Sequence, residues 1–156
     1  MTIPLTPPLA LVTPPSALVT PPLALGPGMS PTSTAVQIVF ALFFLVMGLG
    51  GLAAPARVLR PFGIPLEGAT ARTEVRSVYG GFGLAMAGLL GWAAVEPADP
   101  LRRGAVLAVA VAMLGMAGGR LVARFVEAPE SWYPSWFYFW VEVFAGGAIL
   151  ATVTVT

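Results

Sequence analysis

The chain has 156 residues, of which 57% are hydrophobic and only 10% charged, with a mean hydropathy of +0.86 and a formal net charge of +1. A soluble domain carries about 25% charged residues, so this composition excludes a water-facing coat and points to membrane spans of roughly 20 residues each. Near-neutrality excludes a basic nucleic-acid face, and the lack of cysteine, histidine and lysine excludes disulfides, thiolate and histidine chemistry, Schiff bases and the usual metal and haem ligands.

Residues 5–25 form a tandem repeat, LTPPLAL, VTPPSAL, VTPPLAL. Its proline pairs remove backbone donors and forbid a regular helix, so an extended, polyproline-like strip is expected. It lacks the basic flank and unbroken apolar run of a signal peptide. Residues 1–34 are therefore read as a Pro-rich tail, extended or disordered, that could dock on an aromatic groove. Met29 also stands where an ordinary start would, with the repeat as translated upstream DNA. The membrane domain is expected over residues 35–156.

The first span runs from about Ala35 to Ala54, where Pro55 breaks the helical ladder. A polar loop carrying Arg57, Arg60 and Arg72 leads to a second span from near Glu74 to about Val95. Asp99 and Pro100 suit the cap and first position of a third helix, Leu101 to Phe125. The fourth covers about Trp136 to Val155. These runs far exceed strand length, and short connections make successive helices antiparallel neighbours. The expected fold is all-α: an antiparallel four-helix transmembrane bundle with an extended N-terminal tail.

Arginine bias sets orientation. Arg57, Arg60, Arg72, Arg76, Arg120 and Arg124 belong to the first and third loops or the adjoining helix ends, whereas the second loop holds only Arg102 and Arg103. The positive-inside rule then places both termini outside a bacterial cytoplasmic membrane that the chain crosses several times.

Within the spans, Gly83, Ala87 and Gly91 recur every four residues, as do Gly115 and Gly119. Such small-xxx-small spacing lets membrane helices approach closely. A charge near a helix centre in the bilayer costs about 2.5–3.5 kcal/mol on insertion scales, so Glu142, amid aromatic and aliphatic residues, needs a partner from another helix. Antiparallel order brings Arg76, Arg120 and Glu142 toward one membrane face, with Tyr79 near Arg76. Arg124 and Glu127 could extend the cluster by helical spacing. Such a cluster fits a structural ion pair with partly snorkelling arginines, an anion pocket anchored by arginine, or a proton or ion relay through Glu142. Trp132, Tyr133, Trp136, Tyr138 and Trp140 suit an interfacial belt or a stacking site for a quinone.

The stretches Glu74–Gly88 (EVRSVYGGFGLAMAG) and Gly118–Pro129 (GGRLVARFVEAP), together with Glu142, resemble the bacterial domain-of-unknown-function family 4345. The resemblance covers about residues 35–153 and implies a small four-helix membrane protein; it brings no activity or catalytic residue. The leading expectation is a non-enzymatic membrane protein, the small subunit of a complex, that binds a lipid head group or a membrane-protein partner through its Arg–Glu cluster. A small transporter or proton-linked carrier using Glu142 is the first alternative. An accessory membrane oxidoreductase subunit near a quinone is the second. No catalytic residue, cofactor or metal is assigned.

Overall fold

The computed structural model describes residues 30–96, 99–127 and 131–154; the proline repeat lies outside them. Among the described residues, four helices are long and apolar enough to cross a membrane: α1 (Pro31–Ala53), α3 (Gly68–Val95), α4 (Arg102–Val126) and α5 (Ser135–Thr154), with a short α2 (Pro55–Leu59) between the first two. At 1.5 Å per residue, the shortest, of 20 residues, is about 30 Å long, the thickness of the hydrocarbon core. No strand occurs among the described residues.

Local chemistry sets the helix ends. α1 begins at Pro31, four residues before the expected Ala35, because Ser30 caps it: the Ser33 amide donates to Ser30 Oγ at 3.1 Å, and Pro31 needs no donor at the first position. Pro55 ends α1 as expected, yet it also starts α2. A 3₁₀ turn (Arg60–Phe62) follows and closes on Gly63, whose φ of 66° falls in the left-handed region that glycine tolerates. The second long helix starts at Gly68 rather than near Glu74. Its first turns are polar, so hydropathy alone places the start too late.

Before α4, Asp99 Oδ1 accepts from the Leu101 amide at 2.8 Å. The aspartate thus forms a turn ahead of the helix, and Pro100 lies outside it rather than at its first position.

α1 packs most closely on α3, and α4 on α5; contacts of α3 with α4 and of α1 with α5 close the ring. This is an antiparallel four-helix bundle. Its core is Phe44 from α1, Leu90 and Ala93 from α3, Val106, Val109, Ala110 and Met113 from α4, and Ala145 and Ile149 from α5. The outer surface is apolar as well, with Val46, Val111, Val122 and Phe144 exposed, as lipid contact requires and water does not.

Glycines set the α1–α3 spacing. A Cβ on Gly51 would lie 2.6 Å from the Gly80 amide nitrogen, and one on Gly83 would lie 2.9 Å from Gly48 Cα. Gly83 and the partly buried Ala87 thus face neighbouring helices. The close approach extends through Gly48, Gly51 and Gly80 instead of Gly91, Gly115 and Gly119. A Cβ on any of these last three would meet nothing within 4 Å, which corrects the expected packing at Gly91 on α3 and at Gly115 and Gly119 on α4. Opposite Gly51, residues Arg76–Gly81 widen into a π-helical turn, a feature that occurs often at functional sites.

Candidate functional site

Arg120 lies six residues before the end of α4, and Glu142 lies seven after the start of α5. Antiparallel packing therefore brings them to one level, roughly 9–10 Å along each helix from the α4–α5 connection. Arg120 Nε donates to Glu142 Oε2 at 2.9 Å and Nη2 donates to Oε1 at 3.0 Å. This is the bidentate fork that only a planar guanidinium supplies. The Glu142 side chain is 7% exposed and that of Arg120 is 31% exposed. The Glu142 side chain is sunk in the bundle while that of Arg120 stays partly exposed.

Two rings flank the cation. Tyr138, one turn before Glu142, has its centroid 5.6 Å from Arg120 Cζ; Phe62, from the turn after α2, lies 6.0 Å away. The rings stack with centroids 5.3 Å apart and planes 27° from parallel. Both distances are within cation–π range, an attraction of about 0.5–1 kcal/mol at an exposed site. The 3₁₀ turn closed by Gly63 thus carries Phe62 to the mouth of the pair.

The other residues of the expected cluster are placed differently. Arg76 does not reach Glu142. Its Nε donates to the Leu52 carbonyl at 3.0 Å, satisfying one of the last carbonyls of α1, which have no partner within their own helix. Tyr79 is half-buried, with its backbone against Gly51. Arg124 and Glu127 are exposed and extend no ion pair from Arg120 among the described residues. The aromatic residues form a partly exposed collar at the start of α5, with Trp132, Tyr133, Phe137 and Trp140 on its surface. No group of three or more acidic side chains that could hold a metal occurs among the described residues.

Sequence reasoning overlooked Phe62 and a second polar contact. In that contact Gln37 of α1, fully buried, donates from Nε2 to Thr152 Oγ1 of α5 at 3.0 Å. A lone amide in the apolar run of α1 was the available signal.

The sequence profile described as "Domain of unknown function (DUF4345)" matches residues 33–153, which takes in all four long helices. The chain belongs to this family. No curated protein and no solved structure matches it. The DUF4345 match begins at Ser33, in the first turn of α1, and the proline repeat falls outside it.

Proposed function

We propose that this DUF4345 chain is a non-enzymatic membrane protein that holds an anionic group, most simply a lipid phosphate, at Arg120, and serves as a small binding subunit. The observation that carries the proposal is a partly exposed Arg120 side chain whose donors Glu142 does not exhaust. Glu142 engages two of its five N–H donors, and 31% of the side chain stays exposed. Phe62 and Tyr138 give the guanidinium an apolar and aromatic wall, suited to the junction of head group and acyl chain. An acidic group on a membrane-protein partner would meet the same chemistry.

A proton-linked carrier is the less favoured reading. Glu142 and Thr152 are ten residues apart on α5, about 15 Å, and the residues packed between these levels, among them Ala145 and Ile149, belong to the apolar core. We place the arginine-rich loops, and hence this site, on the cytoplasmic side by the positive-inside rule. A C-terminal reporter active only in the cytoplasm would reverse that orientation.

Native mass spectrometry of the full chain in mild detergent tests the binding. Retained anionic phospholipid is expected on the wild type. Arg120→Lys keeps the charge but loses the fork, and should lose the lipid with the helical content preserved. A bare wild-type mass, or equal retention by both proteins, rules the proposal out.

A further inference from the structure

Four of the five buried polar or charged residues among those described, Ser33, Gln37, Arg102 and Thr152, lie at the end of the bundle away from Glu142. Gln37 is 0% exposed, and its Oε1 has no hydrogen-bond partner. Its neighbour fixes the amide orientation. Thr152 Oγ1 donates its proton to the Ile149 carbonyl at 2.7 Å and so can only accept from Gln37 Nε2. Turning the amide over would leave both Nε2 protons unpaired instead, so in either orientation one arm of the amide lacks a protein partner. Buried polar atoms in native proteins are almost always satisfied by protein or ordered water.

One helical turn before Gln37 stands Ser33, itself buried. Its Oγ accepts from the Ser30 hydroxyl at 3.0 Å, which leaves its own proton to donate. Side chains four apart on a helix have Cβ atoms about 5–6 Å apart, the span of one bridging oxygen. We infer that Ser33, Gln37 and Thr152 form a second binding site, for a single hydroxyl group that donates to Gln37 Oε1 and accepts from Ser33 Oγ. Water and a lipid hydroxyl share this chemistry. With at least two polar partners, the site has the hydrogen-bonding company that a buried water needs.

The sequence provides its own reporter: it contains one glutamine and no asparagine, so one side-chain carboxamide NH₂ signal is expected and it belongs to Gln37. The test is a ¹⁵N-edited cross-relaxation spectrum of the full chain in perdeuterated detergent micelles. A cross-peak from the Gln37 amide to the water resonance is expected if water fills the site. A cross-peak to lipid hydroxyl protons that disappears on delipidation identifies the lipid source. Ser33→Ala should remove either peak with the helical content preserved, and Gly115→Ala, a substitution outside the site into open space, should leave it. No cross-peak of either kind in the wild type, a peak that survives Ser33→Ala, or one lost equally in Gly115→Ala would overturn the assignment.

Discussion

Gly51→Ala and Gly115→Ala are the same substitution in helices of the same bundle, and the structure assigns them opposite signs. At Gly51 the new Cβ would lie 2.6 Å from Gly80 N and 2.8 Å from Tyr79 C, both backbone atoms that cannot rotate away. Contact at an ordinary 3.5–4.0 Å requires α1 and α3 to part by about 1 Å, and a gap of that size forfeits a quarter to a half of each affected dispersion contact. Overpacking of this kind costs about 1–3 kcal/mol, against roughly 1 kcal/mol gained by replacing glycine within a helix. At Gly115 the new methyl meets nothing within 4 Å, so only the gain remains. The propensity gain is common to both variants and cancels, so they should differ by the overpacking cost alone, about 1–3 kcal/mol of stability. Thermal unfolding in mild detergent, followed by near-UV circular dichroism of the tryptophans, ranks them: Gly115→Ala at or above wild type, Gly51→Ala below it. Equal losses in both would refute the argument, because Gly115 would then be packed against something.

Three further outcomes are expected. Arg120→Ala should destabilise the bundle more than Glu142→Ala: the first strands a buried carboxylate, whereas the second leaves a partly exposed guanidinium that can reach the interface. The larger loss is about 3 kcal/mol, the low end for a broken buried pair, and unfolding midpoints of the two variants compare them directly. Thr152→Val should cost about 1–3 kcal/mol by leaving Gln37 Nε2 unpaired, and the double variant Gln37→Leu/Thr152→Val should recover most of it; a double-mutant cycle in detergent reads the difference. Asp99→Ala should cost about 1 kcal/mol through loss of its bond to the Leu101 amide, seen as faster amide exchange in the first turn of α4.

The long helices were legible because hydropathy and helix breakers agree: proline or arginine stands at the start of each apolar run. Their ends were less so. Ser30 and Gly68 act through a side-chain cap and a backbone angle, which a hydropathy profile does not register. The Arg120–Glu142 contact could be reasoned from depth and helix order, since both residues are counted from the same connection. Depth does not fix the direction a residue faces around its helix, and there Arg76 diverged. It opens the π-helical turn Arg76–Gly81, where the helix departs from a 3.6-residue period, and its side chain serves the end of α1. Glycine spacing likewise showed that close approach was available without showing which glycines use it. The spacing of Gly115 and Gly119 suits helix contact as well as that of Gly48 and Gly51, yet only the second pair has backbone against it.

The fork between Arg120 and Glu142 also determines how the protein responds to an electric field. A membrane potential does work on net charge, about 2.3 kcal/mol per elementary charge carried across 100 mV. A lone arginine or a lone glutamate at this depth would feel a share of that force and bias its helix toward one face. Here the two charges sit at one level, 2.9 Å apart, and their contributions cancel. An energised membrane therefore exerts almost no net pull on the pair, and α4 and α5 can hold two opposite charges at this level without the pair acting as a voltage sensor.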